Sequence, residues 1–585
     1  MHEAEVAGER NFYLEDANLR RLLTRIAPAL ADRGAQRLTA FGAWAATEAD
    51  AAAAYTDRFA PPVLDITDRD GELLSSVMCN PRYEQVHRQV YAHGIVALNH
   101  GPSAEPFLLT FAMGYLLAQA DISLHCPATL TGAVAYVLDR FAPQHLRDRY
   151  LPDLIRQDGR AMTGATWATE RQGGSDIGAA TTTARVAGDG IELTGLKWFC
   201  SNAPADVALV TARREGAPPG SKGLGLYLVP RLCPDGRSNR YRIRRLKEKL
   251  GTRGLPTGEI ELHGAYALEV APPPEGFKLM MEALEFSRVH NAMAGAGAQR
   301  RAFIEALGHA EERHAFGAAL SSFPMIRELL LDMRMELEAS VALAFEAARA
   351  FDMAARDTAA RAWLRTVTAL AKYRTAEEAV RSASRAIEIL GGNGYTEEFV
   401  TARLLRDAQV LTVWEGPPNI QALELLRMVR AEQGGFEAFG QRVEAVLASV
   451  PEVLGDAAVA VAAALEDCCQ AIAYIRDHPD NASCHGRRLL DLMADALSAT
   501  LLLEEAAADA ASGDGRKALV ANRFIAQRLM LPARRGLAPL DDPAQRHFDA
   551  IIHDEDVPLA AVRSVSPAAA SQQSDRVTSG IGRTP

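Results

Sequence analysis

The most informative segment of this 585-residue chain is Ala168-Thr169-Glu170-Arg171-Gln172-Gly173-Gly174-Ser175-Asp176. Two consecutive glycines followed by a serine permit a tight loop whose backbone N–H groups can face an anion. An ordinary Gly-rich turn has the same pattern, so this segment alone does not assign a site. It lies near the start of residues 161–275, where short apolar runs alternate with turn residues. That pattern predicts a small β-domain, which we call the middle domain.

Helical patterns flank the middle domain on both sides. Residues 1–160 predict an N-terminal helical domain, and residues 276–431 predict long helices rich in Ala, Leu and Glu. A second helical block follows over residues 432–562, and the Ser-, Ala- and Gln-rich residues 563–585 predict a disordered tail. The predicted fold class is therefore mainly α with an inserted β-domain.

Composition excludes several classes of protein. The chain has 63 Lys and Arg against 74 Asp and Glu, a net charge of −11, so any nucleic-acid site must be a local basic patch. The seven cysteines are odd in number and unpatterned, which argues against a secreted disulfide scaffold. We see no signal-peptide pattern and no apolar run approaching the roughly 18 residues of a membrane span. The sequence predicts a cytoplasmic protein with reduced thiols and no membrane partner.

Four further segments carry residues whose side chains could take part in binding or catalysis. They are residues 197–202, 311–317, 389–395 and 413–420. In the first, aromatic bulk precedes small polar groups, which suits either contact with a planar ring or plain strand packing. In the last, Pro417 predicts a helix start, whose N–H groups could hold a phosphate. Glu415, flanked by Val413 and Trp414, suits either an apolar pocket with a shifted pKa or a capping carboxylate.

In this order and spacing, the five segments resemble the acyl-CoA dehydrogenase family, over roughly residues 20–430. The chain looks closest to the AidB-like branch, since it has Trp414-Glu415-Gly416 in place of the usual Tyr-Glu-Gly. The segments at 170–176, 229–236 and 244–253 and the additional helical block agree with that branch. The resemblance implies a helical N-domain, a middle β-barrel-like domain and a four-helix-bundle domain, with FAD between them.

The resemblance also implies roles for individual residues. Glu415 falls on the catalytic base, and Arg288 and Ser175 fall on substrate-binding positions. FAD-binding positions fall on Thr169, Ser175, Phe199, Ser201, Arg313, Phe316, Gly391, Gly392 and Asn419. Of these, Arg313 and Phe316 are expected to reach the FAD of a neighbouring subunit. No metal is implied.

Several positions depart from the family pattern. The family commonly has a Thr at the position of Pro417 and a Gln at the positions of Pro324 and Glu388. These differences affect details of FAD contact. Some branches place the base one residue before Arg288, but here that residue is a serine. Glu285 is two positions further back, so we expect it to point elsewhere. Glu415 is then the only base at either family position.

The activity implied is an α,β-dehydrogenation in fatty acid metabolism. Glu415 would take the α-proton of an acyl thioester while the β-hydride passes to flavin N5, giving the trans-2-enoyl product. The family is understood to stabilise the enolate with the N–H of the base and a flavin ribityl hydroxyl. Expected partners are an acyl-CoA or acyl-carrier thioester, electron-transfer flavoprotein or oxygen as acceptor, and three further copies in a homotetramer.

Two basic segments leave alternatives open. Residues 237–253 hold eight basic residues against one acid, which suits CoA phosphates, DNA or a solvated strand edge. In the C-terminal block, four basic residues fall within a helical arc of about 140°. They are Arg516, Lys517, Arg523 and Arg528. One alternative function is thus an AidB-like flavoprotein that binds double-stranded DNA with little turnover. Another is a flavin oxidase or desaturase acting on carrier-protein thioesters.

Overall fold

The computed structural model describes residues 10–188, 190–354, 357, 360–530 and 543–564. The N-terminal region is built mainly of helices, which pack through Leu-, Phe- and Tyr-rich faces into one apolar core. Their bounds are α1 Ala17–Ile26, α2 Pro28–Trp44, α3 Asp50–Phe59, α4 Pro81–Ala92, α5 Phe107–Ala120, α6 Ile122–Arg140 and α7 Gln144–Leu154. A π-helical turn, Ala45–Ala49, joins α2 to α3.

A β-hairpin interrupts the N-terminal helices, and the helical pattern of residues 1–160 does not predict it. Its strands are β1 Val63–Thr67 and β2 Leu73–Met78. The hairpin packs on the middle domain through Leu64 and Val77. Ser75 also accepts a 3.2 Å hydrogen bond from the backbone N–H of Ile243. The strands were missed because they are short and take their apolar contacts from a domain more than a hundred residues away.

The middle domain is a small closed barrel. Its strands are β3 Gly164–Trp167, β4 Thr183–Ala187, β5 Gly190–Ser201, β6 Val207–Arg214, β7 Leu224–Pro230, β8 Tyr241–Leu246 and β9 Thr257–Ala271. Strands β4, β5, β9, β7 and β6 pair in a ring, because β6 pairs with both β4 and β7. Strand β3 pairs in parallel with β6, and β8 pairs with β9. Closing the ring removes the free edges within it.

Five helices form the bundle beside the barrel. They are α8 Glu275–Glu312, α9 Pro324–Ala354, α10 Arg361–Leu390, α11 Val400–Leu411 and α12 Pro418–Met428. Helix α8 is the centre of the bundle, and two glycines let it approach its neighbours closely. A Cβ at Gly295 would lie 2.8 Å from the Thr375 carbonyl on α10, and one at Gly297 would lie 2.6 Å from the Tyr115 carbonyl on α5. A short hairpin, β10 His314–Ala315 and β11 Ala318–Ala319, joins α8 to α9.

The C-terminal block is also helical. It contains α13 Gly435–Leu447, α14 Gly455–Asp477, α15 Ala482–Ala510, α16 Arg516–Arg528, α17 Pro543–Arg546 and α18 Phe548–Ile552. Its apolar side chains join the core of the N-terminal helices and the bundle without a break. Residues 565–585 of the predicted tail lie outside the described residues.

One segment of the C-terminal block is more apolar than the sequence analysis allowed. By length and composition alone, Glu452–Asp477 could cross a membrane. One face of α14 nevertheless packs into the protein core through Val461, Cys468 and Ile472. The absence of a membrane partner stays a prediction.

The four basic residues predicted as DNA contacts point into the protein, so this prediction is wrong. Arg516 and Lys517 are 1% and 3% exposed, and both pair with the fully buried Glu338 on α9. Arg523 binds Asp332 at 2.7 Å and Glu328 at 2.5 Å, and Arg528 lies 2.8 Å from both Glu336 and Glu378. Val520 and Phe524 share their helix face, and that face packs on the bundle. Buried and neutralised cations cannot meet DNA phosphates.

The other basic segment is also paired with acids. Arg242 on β8 lies 2.8 Å from Glu261 on β9, and Arg245 lies 2.8 Å from Glu259. Arg240 pairs with Glu192 on β5. Such cross-strand pairs are typical of a solvated sheet edge, which was one of the three alternatives left open.

Candidate active site

Glu415 lies in the turn between α11 and α12. Its φ is 54°, and that of Gly416 is 97°, so two successive residues adopt the left-handed region. A Cβ at position 416 would lie 2.7 Å from the side-chain nitrogen of Gln421, so both conformation and space require glycine there. The left-handed conformation is unfavourable for glutamate and persists only where the surroundings enforce it. Helix α12 then begins at Pro418, with Pro417 at its N-cap.

Side chains from three helices hold this turn by its two carbonyl oxygens. Arg288 on α8 donates from Nε to the Glu415 carbonyl at 3.0 Å. Gln421 on α12 donates to the carbonyls of Glu415 and Gly416, both at 3.1 Å. Lys372 on α10 donates to the Gly416 carbonyl at 2.8 Å. These four bonds account for the backbone conformation that Glu415 would otherwise avoid.

Polar atoms of the same turn remain available to a ligand. Glu415 Oε2 is enclosed and has no hydrogen-bond partner, and the same holds for the indole Nε1 of Trp414. Within the described residues, the backbone N–H of Glu415 donates to no protein group. Buried polar groups are normally hydrogen-bonded, so unpaired ones in a cleft indicate a place for a bound group.

The surroundings of Glu415 raise its proton affinity. Burial raises the pKa of Glu415 to about 7, although the charges of Arg288 and Lys372 act to lower it. A carboxyl group with this pKa is divided between its two protonation states near neutral pH, which suits a general base. Glu285, the acid one helical turn before Arg288, lies 3.6 Å from that guanidinium. Burial raises the pKa of Glu285 as well.

An apolar wall encloses the site. Cys126 and Leu130 on α6 and Leu255, which precedes β9, form a buried cluster against which Trp414 packs. Burial and the nearby charge of Glu415 raise the pKa of the Cys126 thiol. The site is therefore bounded by the N-terminal helices, the bundle and the middle domain.

The middle domain contributes hydroxyl groups to the same region. Ser201 Oγ lies 3.2 Å from the hydroxyl of Thr257, to which Lys249 donates at 3.1 Å. Ser201 acts to lower the pKa of the Cys126 thiol, and the charge of Glu415 acts to raise it. The predicted flavin-binding hydroxyl and the predicted base thus both lie near Cys126. Burial lowers the pKa of Lys249 to about 8.

The segment 168–176 is anchored by a buried ion pair. The Glu170 carboxylate pairs with Nζ of Lys197 at 2.9 Å. It also accepts hydrogen bonds from the backbone N–H and hydroxyl groups of Thr181 and Thr182. A Cβ at Gly174 would lie 2.5 Å from the hydroxyl oxygen of Thr169, so the loop folds back closely on itself.

The predicted ring-contacting residue stands near that loop. The backbone N–H of Trp198 donates to the carbonyl of Thr169 at 2.9 Å, which places Phe199 beside the loop. Phe199 is 59% exposed, and Ser175 is exposed on the loop itself. Phe199 and Ser201 are two residues apart on β5, and an exposed aromatic ring beside this loop offers a surface that fits a planar ring system.

The remaining predicted FAD residues lie at the surface. Arg313 caps the end of α8 just before β10, and Phe316 lies in the turn between β10 and β11, where it is 98% exposed. Gly391 and Gly392 are exposed at the end of α10, where Gly391 has a φ of 64°. Asn419 is exposed in the first turn of α12. In the part of the chain described, no hydrogen bond or ion pair joins these five residues to Glu415.

Sequence reasoning missed three polar residues of the site: Lys372, Gln421 and Thr257. Lys372 had a visible signal, since it is the single charge in the apolar run Thr368-Ala369-Leu370-Ala371-Lys372-Tyr373. A lone lysine on a helix face that is otherwise buried needs a partner, and here the partner is the Gly416 carbonyl. Gln421 and Thr257 had no such signal, because their roles depend on contacts that only the fold creates.

Comparison with known proteins gives matches along most of the chain. Residues 274–429 match the acyl-CoA dehydrogenase C-terminal domain, residues 165–265 match its middle domain, and residues 3–158 match the adaptive response protein AidB N-terminal domain. The chain is 30% identical to acyl-CoA dehydrogenase family member 11 of Caenorhabditis elegans, over 90% of this chain and 88% of that protein. It is 33% identical to the putative acyl-CoA dehydrogenase AidB of Escherichia coli K12, over 65% of this chain and 71% of that protein.

A solved structure also resembles this chain along most of its length. The crystal structure of C. elegans ACDH-11 in complex with C11-CoA superimposes with a TM-score of 0.83, at 28% identity, covering 90% of this chain and 93% of that one. The likeness extends past the bundle, so it includes most of the C-terminal block.

Proposed function

The chain belongs to the acyl-CoA dehydrogenase family, and on that premise we propose that it is an FAD-dependent dehydrogenase of acyl-CoA thioesters. Glu415 is the α-proton base of this proposal. The observation that carries it is the buried and unpartnered Glu415 Oε2, in a carboxyl group whose pKa is raised to about 7. The acyl-CoA bound to the C. elegans relative supports the substrate class.

The residues present fit FAD, the cofactor of this family. Phe199 would lie against the ring system, and the hydroxyls of Ser201 and Thr169 would hydrogen-bond it. The N–H of Gly173 donates within the loop to the Glu170 carbonyl at 3.0 Å, whereas the described contacts leave the N–H groups of Gly174 and Ser175 to meet the pyrophosphate. When bound, FAD would supply the acceptor for the substrate β-hydride.

The protein residues account for the proton chemistry. Glu415 in its carboxylate form takes the α-proton on Oε2, which no protein group occupies. The N–H of Glu415 is free to donate to the thioester carbonyl, where negative charge develops as the proton leaves. Leu130, Leu255 and Trp414 keep water from the carboxylate, which strengthens both interactions.

An anaerobic titration tests the proposal. The purified holoenzyme is mixed with short, branched and long acyl-CoAs while the flavin absorbance is followed. We expect one class to bleach the flavin in the wild-type protein and not in Glu415→Gln. Glu285→Gln, the other buried acid near Arg288, should still be bleached. Bleaching lost in Glu285→Gln and kept in Glu415→Gln would reverse the assignment of the base, and a protein unable to take up FAD would refute the proposal.

The electron acceptor, assembly and location complete the proposal. We infer an electron-transfer flavoprotein as acceptor, which oxygen uptake without such a partner would contradict. A homotetramer agrees with the exposure of Phe316 and of Met325, which is 85% exposed, on and next to the β10–β11 hairpin. Analytical ultracentrifugation tests the assembly, and cell fractionation tests the expected cytoplasmic location.

A further inference from the structure

Lys372 is a buried lysine directly below the Glu415–Gly416 turn. The residue lies in the middle of α10 and is 1% exposed. Among the described residues, its ammonium makes one hydrogen bond to protein, to the Gly416 carbonyl at 2.8 Å. An ammonium group has three donors and no acceptor, and burial of its charge is unfavourable without compensation. One carbonyl does not compensate it, so a nearby negative charge is needed.

Glu415 supplies that charge. Its carboxylate acts on Lys372 to favour the protonated amine, and Lys372 acts on Glu415 to favour the carboxylate. Burial lowers the pKa of Lys372 to about 7 and raises that of Glu415 to about 7, so neither group is committed to one state alone. The protonation of each therefore depends on the other.

The other charges near the pair are already engaged. Arg288 on α8 lies 3.6 Å from Glu285 and donates to the Glu415 carbonyl, so it serves two groups besides the Glu415 carboxylate. Glu377 on α10 favours the charged form of Lys372, and Arg288 disfavours it. Gln421, which binds the same two carbonyls, carries no charge. Lys372 is thus the cation that can respond to the protonation of Glu415.

We propose that Lys372 is a positioning residue that fastens the catalytic turn and keeps Glu415 in its carboxylate form until the acyl thioester binds. The role has two parts: a hydrogen bond that fixes the left-handed conformation, and a positive charge that stabilises the base. It rests on the proposed function, in that Glu415 is the base.

Three variants of the holoenzyme separate the two parts. Lys372→Gln keeps a donor for the Gly416 carbonyl and removes the charge. Lys372→Arg keeps the charge, and Gln421→Leu removes two hydrogen bonds to the same carbonyls without changing any charge. Protonation of Glu415 is followed in each by the carboxylic acid C=O stretch in infrared difference spectra against the matching Glu415→Gln protein, over a range of pH. This measurement needs no substrate.

We expect the protonation midpoint of Glu415 to rise by about one pH unit in Lys372→Gln, a tenfold change in proton affinity. It should stay near the wild-type value in Lys372→Arg and in Gln421→Leu. With an acyl-CoA that bleaches the wild-type enzyme, the acidic limb of kcat/KM should move with the midpoint. Gln421→Leu should lower kcat at every pH.

Three outcomes would overturn the proposal. The first is an unchanged midpoint in Lys372→Gln, and the second is an equal shift in Gln421→Leu. The third is loss of the native fold in both Lys372 variants, since a role confined to the turn requires a folded holoenzyme. A wild-type protein that no acyl-CoA bleaches counts against the dehydrogenase, while the infrared midpoint still decides the role of Lys372.

Discussion

The ion pair between Glu170 and Lys197 should be a main support of the loop 168–176, where we propose that FAD binds. Both side chains are inside the middle domain, at 2% and 0% exposure, and the charged atoms are 2.9 Å apart. Glu170→Gln leaves the Lys197 ammonium buried, with the Ala168 carbonyl at 3.3 Å as its remaining partner. Removing one member of a buried pair costs about 3–5 kcal/mol, because the other charge is left uncompensated. We expect the free energy of unfolding of the middle domain to fall by that amount.

The consequence for function follows from the position of Glu170 in the segment 168–176. The loop should loosen before the helical bundle unfolds, so FAD should be released at a lower temperature than that at which the helices melt. Flavin fluorescence reports the release, and far-ultraviolet circular dichroism reports the helices.

The ion pair also predicts that the stability of the middle domain depends on pH. Burial acts to raise the pKa of Glu170, but the charge of Lys197 and the hydrogen bonds hold it below its ordinary 4.5. The stabilisation by the pair is therefore present above that pH and is lost as the pH falls further.

A double-mutant cycle and a surface control make the test decisive. Replacing both partners, in Glu170→Gln with Lys197→Met, should recover part of the loss, because no uncompensated charge then remains. Glu192→Gln breaks pairs with the well-exposed Arg185 and Arg240 in the same domain, and it should change stability by less than about 1 kcal/mol. The reasoning is refuted if Glu170→Gln retains FAD like the wild type, or if the two single effects simply add.

Three other outcomes follow from the structure. Glu338→Gln should destabilise the protein by about 3–5 kcal/mol, since Arg516 and Arg334 are then left to share Asp554, and Lys517 keeps Glu505 alone. Limited proteolysis should then cut the C-terminal block first, and equal protease resistance would contradict this. The rate of flavin reduction by an acyl-CoA should rise with pH through about 7, because Glu415 must be deprotonated to act as a base, and a flat profile would contradict it. Cys469 and Cys484 are exposed and should react with Ellman's reagent in the folded protein, whereas rapid reaction of the three buried thiols would mean a looser structure.

The family and the fold class were readable from the sequence because they depend on local signals. Turn glycines, the apolar period of the helices and the Trp414-Glu415-Gly416 segment are each visible within a few residues. The resemblance to the acyl-CoA dehydrogenase family is confirmed by the comparisons. The roles of the individual site residues stay predictions, and the experiments on Glu415 test the central one.

What the sequence did not reveal depends on contacts between distant segments. The hairpin at Val63–Thr67 and Leu73–Met78 takes its apolar neighbours from the middle domain. The charges of α16 looked like a surface patch, because their carboxylate partners on α9 are about 180 residues away along the chain. A helical arc shows which side chains share a face, and it does not show whether that face meets solvent or protein.

The position of Glu338 bears on how the chain is made. Arg516, its partner, follows it by 178 residues, and Lys517 follows by 179. During synthesis, the bundle helix α9 therefore leaves the ribosome with a buried carboxylate and one of its three cations, Arg334 on the same helix, long before the other two exist. At roughly 5–20 residues per second, this interval lasts about ten seconds or more. A chain stalled near residue 500 would hold Glu338 with Arg334 as its one cation, so we expect α9 to pack less tightly there than in the full chain.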